Sequence, residues 1–354
     1  MASIKRFHPG VYLKELLDSM EMTAKEFSLR TGISERTISA LITGNGDLTF
    51  DIAYKLSIFF DNSINYWTNL QTQYNVYLKE LNKNEELKKE WVFASKVKNY
   101  LIDYGYVFNN FTKEEIINKC REVVGVNSLM LLDKKDLFIC LKEHHTKKEV
   151  DYFAQNFWIA LALNEARKKN EIPFNKNMLI EYIPEIRGMT KQNLEDFLPR
   201  LKYILNECGI SFVLLPYLSK SYIYGATKWF SKDNVMLAIS NRGEKADLFW
   251  FTLFHEISHV LMEHRRETLI NIENDEDDEA DLMAAEMLIS NDKWNDYINK
   301  NCFTEDSIIE FANSVGIHPC IVLGRLHKEK KYLVPYGKFD KKFKTSYKFK
   351  TSDY

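Results

Sequence analysis

The stretch FWFTLFHEISHVLMEH, residues 249–264, places two histidines four residues apart in a run that is otherwise aromatic and aliphatic. Four residues make about one turn of an α-helix, so the imidazoles of His255 and His259 would lie on one face and could bind the same metal ion. Glu256 would project to the side of that face, where it can reach a water molecule without binding the metal. The pattern HExxH therefore predicts two zinc ligands, His255 and His259, and a general base, Glu256.

A third ligand has to come from outside this run, because a catalytic zinc takes three protein ligands and keeps one position open. The position of the third histidine in the longer HExxHxxGxxH pattern is Arg265, which excludes that arrangement. The segment NDEDDEADLMAAEMLIS, residues 274–290, indicates a second helix, and its small residues would let it pack closely on the first. We expect Glu279 in this helix to complete the zinc site, and Glu276 and Glu286 are the alternatives.

The composition is typical of a globular protein and excludes several classes. The chain has 354 residues, of which 45% are hydrophobic and 28% charged, and its formal net charge of −2 gives no overall bias toward nucleic acid or membrane surfaces. No stretch near the N-terminus has the apolar length of a signal peptide, and no run approaches a membrane span. The five cysteines are scattered and never spaced as CxxC, which favours a reducing compartment. We therefore expect a cytoplasmic protein of two or three domains with no membrane partner.

The first seventy residues have the pattern of several short helices. Thr23 followed by Glu26 predicts a capping box, Gly32 ends that helix, and Ser34 caps the next one, SERTISALITG. Two short helices joined by the turn TGIS form a helix-turn-helix arrangement. The candidate DNA contacts around the turn and the second helix are Lys25, Arg30, Ser34, Glu35, Arg36, Thr37 and Ser39. The alternative is a plain helical bundle that binds no DNA, because basic and acidic residues are nearly balanced in this region.

Residues 8–75 resemble a helix-turn-helix domain of the phage-repressor type, and most closely the HigA-like antitoxins. The resemblance rests on the opening HPG, the GIS turn and the WTNLQTQYN exit helix. One departure is Ser28, where the family usually has alanine. The resemblance implies a double-stranded DNA operator, bound by a homodimer on half-sites one helical turn apart, and it raises a toxin–antitoxin setting.

The region from about residue 191 changes from helical patterns to strands. ISFVLLPYL, YIYGATKWF and NVMLAIS are three strand candidates, and a turn, SKDN, separates the last two. NVMLAIS directly precedes the histidine helix. We expect it to be an exposed edge strand to which a substrate peptide could add.

Two further features lie near the C-terminus. EFANSVGIHPCIVLGRL, residues 310–326, aligns without a gap with EFSLRTGISERTISALI, residues 26–42, and predicts a second helix-turn-helix. We expect this one to be structural, because Pro319, Cys320 and Ile321 are poor base-reading residues. The basic tail that follows alternates with aromatic residues, which would suit either a phosphate backbone or docking on the protein itself.

GATKWFSKDNVMLAISNRGEKADLFWFTLFHEISHVLMEH, together with EADLMAAEMLI and GIHPCIVLGRL, resembles the ImmA/IrrE family of zinc metallopeptidases. The resemblance covers roughly residues 191–330 and implies Zn²⁺ as cofactor, His255, His259 and Glu279 as its ligands, and Glu256 as the base. Members of that family cleave repressor proteins in the cytoplasm. No residue matches an assigned oxyanion stabiliser, although Tyr222 and Tyr224 are nearby candidates.

These observations predict an α+β protein with an N-terminal all-α helix-turn-helix domain, a helical middle and a C-terminal gluzincin-like metallopeptidase with a small β-sheet. The predicted domains are residues 1–78 (helix-turn-helix), 79–190 (helical spacer or platform), 191–330 (metallopeptidase) and 331–354 (basic aromatic tail). The predicted function is a DNA-binding regulator whose zinc endopeptidase cleaves a repressor, a toxin or the chain itself. The alternative is a non-catalytic regulator or antitoxin in which the peptidase fold is a sensor or docking module.

Overall fold

The computed structural model describes residues 6–134, 151–168, 172–263, 275–329, 334–347 and 349, with only the backbone described at 275–278. The chain divides into two compact units, Met1–Lys89 and Glu90–Tyr354. The helices that begin in the first unit are α1 (Pro9–Ser19), α2 (Ala24–Thr31), α3 (Glu35–Ile42), α4 (Phe50–Phe59) and α5 (Ile64–Asp103).

The turn between α2 and α3 is built as the sequence predicts. The Thr23 hydroxyl caps α2 by accepting from the backbone N–H of Glu26 at 3.2 Å, and the Ser34 hydroxyl caps α3 by accepting from Thr37 at 3.1 Å. Gly32 ends α2 with a φ of 67°, in the left-handed region that glycine tolerates. The predicted capping box does not close in this form, because the Glu26 carboxylate accepts from the Arg30 guanidinium instead.

The HPG sequence, residues 8–10, forms the start of α1, and each of its three residues has a structural role there. The His8 imidazole caps α1 by accepting from the Gly10 N–H at 3.0 Å, and Pro9 occupies the first helical position, where no N–H is needed. A Cβ on Gly10 would lie 1.7 Å from the carbonyl oxygen of Leu41. Glycine is therefore required for α1 to pack against the end of α3.

The exit helix α5 closes the first unit through two side chains. Trp67 is fully buried and donates its indole N–H to Asn62 at 2.9 Å. The Gln71 side-chain oxygen accepts from the backbone N–H of Leu48 at 2.9 Å, which satisfies a donor in the loop before α4. These contacts explain why WTNLQTQYN is part of the helix-turn-helix pattern.

The second unit is mostly helical around one three-stranded sheet. Its helices are α6 (Lys113–Val124), α7 (Tyr152–Arg167), α8 (Lys176–Gly188), α9 (Leu194–Glu207), α10 (Ala246–Leu261), α11 (Asp275–Leu288), α12 (Asn291–Asn299), α13 (Glu305–Val315), α14 (Pro319–Glu329) and α15 (Asp340–Phe343). Its strands are β1 (Ile210–Leu215), β2 (Gly225–Trp229) and β3 (Val235–Ser240). All three strands were expected from the sequence, and the sheet lies beside the histidine helix α10, as predicted.

The strand order corrects one expectation. The order is β1-β3-β2, with β3 parallel to β1 and antiparallel to β2. The segment NVMLAIS is therefore the central strand, and its predicted role as an exposed edge is wrong. Every residue of β3 is buried, which is the pattern of a strand covered on both faces and paired on both sides. Among the described residues the edges belong to β1 and β2.

The described residues between 90 and 190, namely 90–134, 151–168 and 172–190, belong to the same unit as the sheet. The Trp158 indole and the Tyr100 hydroxyl both donate to the carbonyl of Pro216, just beyond β1, at 2.9 and 3.2 Å. The Arg187 guanidinium, at the end of α8, donates to the carbonyl of Leu288 at 2.8 Å and also to that of Val315. The helices that carry these three side chains thus support the sheet and the helices that follow it.

The second helix-turn-helix, α13 and α14, is a packing element. The two helices are bent by 112° around Gly316, and their apolar residues, including Ile308 and Val322, are fully buried in the core of this unit. Within the described residues no single helix has the length and apolarity to cross a membrane, and this bent pair passes such a test by length and composition only. The base-reading alternative for this segment is not favoured by the burial.

Phe343 and Tyr347 of the C-terminal tail dock on the protein. Tyr347 is 5% exposed, and its hydroxyl accepts from the Trp250 indole on α10 at 2.7 Å. Phe343 is equally buried, whereas Tyr336 is 71% exposed. Of the two interpretations of the tail, docking on the protein is the one that the burial of Phe343 and Tyr347 supports.

Candidate metal centre and cleft

The two histidines of α10 face each other. Their Nε2 atoms are 3.0 Å apart, and the rings meet nearly at right angles, at 83°. Two imidazole nitrogens that converge in this way can bind one ion, since each Zn–N bond is about 2.0–2.1 Å long. The one-turn spacing of HExxH thus brings His255 and His259 together as predicted.

Asp281 on α11 orients the first of these rings. Its carboxylate lies 2.7 Å from Nδ1 of His255, so that nitrogen carries the proton and Nε2 keeps the lone pair that a metal needs. Burial raises the pKa of Asp281, but its hydrogen bond with His255 and the nearby ammonium of Lys328 outweigh this effect and hold the pKa below its usual value. Lys328 lies 3.1 Å from the other carboxylate oxygen. Asp281 therefore stays ionised and fixes the tautomer of His255.

Glu256 is held against the sheet by a contact with β2. Its Oε2 accepts from the Thr227 hydroxyl on β2 at 2.7 Å, and the residue is 6% exposed. A Cβ on Gly225, at the start of β2, would lie 2.7 Å from Oε1 of Glu256 and 2.9 Å from its Cγ. The carboxylate therefore sits where only a glycine in β2 leaves room for it.

The predicted third ligand is not brought into contact with the histidines. Glu279 lies on α11, two residues before Asp281, and its side chain is exposed. Glu286 accepts from the backbone N–H of Asn291 at 2.8 Å and so serves the start of α12, while the Glu276 side chain lies outside the described residues. Over the described ranges no group of three His, Cys, Asp or Glu side chains is arranged to hold a metal ion. The donor chemistry of His255 and His259 fits zinc, and the two imidazoles could supply two of its ligands.

A cavity of about 830 Å³ opens beside this centre. It is lined by His255, Glu256 and Asp281 and by residues of α14 and α15. Tyr222 and Tyr224, the tyrosines noted from the sequence, line it next to Gly225. A cavity of this size can hold several residues of a peptide.

The candidate DNA contacts occupy different surroundings in the first unit. Glu35, Arg36 and Ser39 are exposed on α3, whereas Ile38 in the same helix is buried. Thr37 is half-buried, and its hydroxyl shares a hydrogen bond of 2.8 Å with the Ser34 hydroxyl at the helix cap. Lys25 and Arg30 are exposed on α2, and Arg30 is paired with Glu26. The structure thus presents Glu35, Arg36 and Ser39 together, while Ser34 and Thr37 serve the helix start.

Four residues in or next to the cleft were not identified from the sequence. They are Asp281, Thr227, Gly225 and Arg242, each defined by contacts between elements far apart in the chain. A local signal existed for Asp281 alone, which stands in the same EAD triplet as Glu279. Contacts between residues that are distant in the chain leave no recognisable pattern in the local sequence.

A family profile and several known proteins match the N-terminal part of the chain. The helix-turn-helix family profile matches residues 13–67. The chain is 35% identical over 68 residues to the uncharacterized HTH-type transcriptional regulator YddM of Escherichia coli strain K12, which covers 19% of this chain and 72% of that protein. It is 29% identical over 101 residues to the regulator YbaQ of the same organism, covering 28% and 88% respectively. An addiction module antidote protein of a HigA family from Coxiella burnetii matches with 27% identity and a TM-score of 0.23, over 25% of this chain and 96% of that one.

Proposed function

Because the chain belongs, through its N-terminal domain, to the helix-turn-helix family, we propose that it is a DNA-binding transcriptional regulator whose second unit is a zinc-dependent endopeptidase. The first unit would bind a double-stranded operator as a homodimer. The second would cut a protein substrate, which could be a repressor, a toxin partner or another copy of this chain. Cleavage would then change the expression of the genes that the operator controls.

The DNA-binding part is supported by the exposed face of α3. In a helix-turn-helix the residues near the start of the second helix reach base edges in the major groove. Glu35, Arg36 and Ser39 lie on that face, and Arg36 is the residue that can donate two hydrogen bonds to guanine. The near balance of charge in this unit means that affinity would depend on few phosphate contacts.

The peptidase part is carried by one observation, the convergence of the His255 and His259 Nε2 atoms at 3.0 Å beside a cavity that Glu256 also lines. Zinc bound by these imidazoles, with Glu279 as the proposed third ligand, would polarise the scissile carbonyl. Glu256 would take the proton of the attacking water and pass it to the leaving amine. The Thr227 hydroxyl would keep that carboxylate aimed during the transfer.

The substrate peptide would lie along β2. This is the edge strand that contacts Glu256, whereas the strand suggested by the sequence, β3, is central. A peptide extended along an edge strand is aligned by main-chain hydrogen bonds. Such alignment would place one peptide bond opposite Glu256 whatever the side chains are.

Replacing Arg36 by alanine is expected to weaken operator binding by about tenfold or more, because one bidentate base contact is worth about 1–3 kcal/mol. Operator fragments would first be selected by the wild-type chain from sheared genomic DNA of the host and their affinities then measured by gel shift. Lys79→Ala, an exposed cation on α5 whose side chain is 81% exposed, is the matched control and should bind normally. Equal loss in both variants, or in neither, would count against readout by α3.

Replacing Gly225 by alanine is expected to lower peptide hydrolysis by about a hundredfold while zinc is retained. The new Cβ would push the Glu256 carboxylate away from its position, and a displacement of about 1 Å can cost that much. Gly188→Ala, in the same unit, is the control, because its Cβ would meet no atom within 4 Å. Unchanged kcat/KM in Gly225→Ala, measured at full zinc occupancy, would show that this contact does not position the base.

The two functional classes are separated by an experiment on host lysate. Zinc-loaded and metal-free chains would be incubated with the lysate, and new protein N-termini would be identified by mass spectrometry. A zinc-dependent cut in a DNA-binding protein, a toxin or this chain is the expected result. If zinc-loaded protein makes no cut, the second unit is better described as a sensor or docking module of a non-catalytic regulator.

A further inference from the structure

Arg242 lines the same cavity and lies close to three tyrosine rings. Its guanidinium carbon is 4.1 Å from the ring centroid of Tyr224, 5.0 Å from that of Tyr222 and 5.6 Å from that of Tyr217. It donates one hydrogen bond to the carbonyl of Tyr222, which has a φ of 57°. A bulky residue rarely adopts this left-handed conformation, so the backbone at Tyr222 is locally strained where its carbonyl holds the guanidinium.

The guanidinium is fixed without being neutralised. Two other cations of the cavity have carboxylate partners, since Arg325 pairs with Glu329 at 2.7 Å and Lys328 with Asp281 at 3.1 Å. Within the part of the chain that the structure describes, Arg242 forms no ion pair with a carboxylate, and its side chain donates to one carbonyl only. An arginine has five N–H donors, so the ring faces leave most of them for a ligand.

We propose that Arg242 is a specificity residue that binds an acidic side chain, aspartate or glutamate, of the peptide cut in this cleft. The inference rests on the proposed peptidase and names the class of substrate that it takes. A held, planar guanidinium matches a carboxylate through two parallel hydrogen bonds. The tyrosine rings lie within cation–π distance of the guanidinium, and such contacts do not use up its N–H donors.

The position of Arg242 places this acidic residue near the bond that is cut. Tyr224, the ring closest to the guanidinium, directly precedes Gly225, which contacts Glu256. A peptide along β2 advances about 3.3 Å per residue, so a side chain that reaches Arg242 belongs to a residue within a few positions of the scissile bond. The preference is therefore expected at one defined position of the substrate.

The test measures binding without requiring hydrolysis. The probes are two pools of random octapeptides, identical except that one central position is glutamate in the first pool and glutamine in the second. Zinc-loaded Glu256→Gln chain, which keeps Arg242, should bind the glutamate pool about tenfold more tightly than the glutamine pool, as a charge-assisted hydrogen-bonded pair provides. Adding Arg242→Met should bring the two affinities to the same value. The glutamate is then placed at each position of the octapeptide in turn. If the Glu256→Gln chain that keeps Arg242 binds both pools equally at every position, the proposal is overturned.

Two further variants protect this test from a folding failure. Lys344→Met removes another cation that lines the cavity and should leave the preference for glutamate unchanged. Arg242→Glu should reverse the preference, so that pools with lysine at the same position bind best. A reversed preference cannot come from loss of structure. If Lys344→Met loses the preference for glutamate as fully as Arg242→Met does, the preference comes from the general charge of the cavity. That result would overturn the role of Arg242.

Hydrolysis by the wild-type chain then separates this inference from the proposed function. If zinc-loaded wild type cleaves the glutamate pool about tenfold faster than the glutamine pool, both stand. If it binds with this preference but cleaves neither pool, the peptidase proposal fails and Arg242 remains an acid-binding residue of a docking cleft. If it cleaves both pools at the same rate with equal affinity, the peptidase stands and the inference about Arg242 is wrong.

Discussion

Glu256→Gln is expected to keep its zinc and to lose peptide hydrolysis by a factor of about 10²–10⁴, the contribution of a positioned general base. The amide can still accept the hydrogen bond that the Thr227 hydroxyl donates at 2.7 Å, so the side chain should stay in place. It cannot accept a proton from the attacking water. The measurement is kcat/KM on the best peptide substrate, with zinc content determined on the same preparation.

Thr227→Val separates positioning from chemistry in this prediction. Valine has nearly the shape of threonine, so the sheet should be preserved while the hydrogen bond to Glu256 is lost. We expect a smaller fall in kcat with little change in KM, because the base remains present but is less well aimed. If Glu256→Gln retained wild-type hydrolysis, Glu256 would not be the base. A loss of zinc in the same variant would instead place Glu256 among the ligands.

His259→Ala is expected to lower zinc content from about one ion per chain to a small fraction of that value. Removing one of two imidazoles that converge at 3.0 Å takes away a ligand directly, and even a partner that only orients a ligand changes affinity by about 10–100-fold. The loss should therefore exceed a hundredfold in the dissociation constant. Competition with a chelator of known zinc affinity would measure it.

A graded series makes the zinc prediction specific. Asp281→Asn, which weakens the hold on His255 Nδ1, should lower zinc affinity by about 10–100-fold. Glu279→Ala should cost as much as His259→Ala if Glu279 is the third ligand. Glu286→Ala should leave affinity unchanged, because that carboxylate serves the backbone of Asn291. Full zinc retention in Glu279→Ala would show that another group completes the site.

The expectation about the edge strand failed for an identifiable reason. Alternation of polar and apolar residues marks a strand with one solvent face, and VMLAIS has none. A continuous apolar run is typical of a strand that is covered on both faces, as β3 is, with β1 and β2 paired on its two sides. The apolar run therefore indicated a central strand, whereas its position just before α10 had suggested an exposed edge strand.

The prediction of Glu279 as a third ligand shows a different limit of sequence analysis. The acidic segment and its small residues indicated that α11 would pack on α10, and the two helices do contact each other through Asp281 and His255. Which carboxylate meets the histidine depends on the rotation of α11 about its axis, and each residue along a helix turns it by about 100°. A segment with several acidic residues leaves that rotation open, so Glu279 could not be selected from spacing alone.

The sequence by itself determined the features that need only a few neighbouring residues. The caps at Thr23 and Ser34, the left-handed turn at Gly32 and the one-turn spacing of His255 and His259 each follow from short-range backbone and side-chain geometry. Such interactions form in the same way wherever the helix lies in the fold. They are why the helix-turn-helix and the histidine pair could be identified without a structure.

Only the tertiary structure decided which distant groups surround that pair. Thr227 and Gly225 meet Glu256, and Arg242 meets three tyrosines, because β2 and the loops beside it are placed next to α10 by the pairing of β2 with β3. That pairing depends on burial of the whole sheet against the helices of its unit, which is a sum over many weak and non-directional contacts. No single residue or spacing encodes it, so the residues that contact Glu256 and line the cleft became visible only in the folded chain.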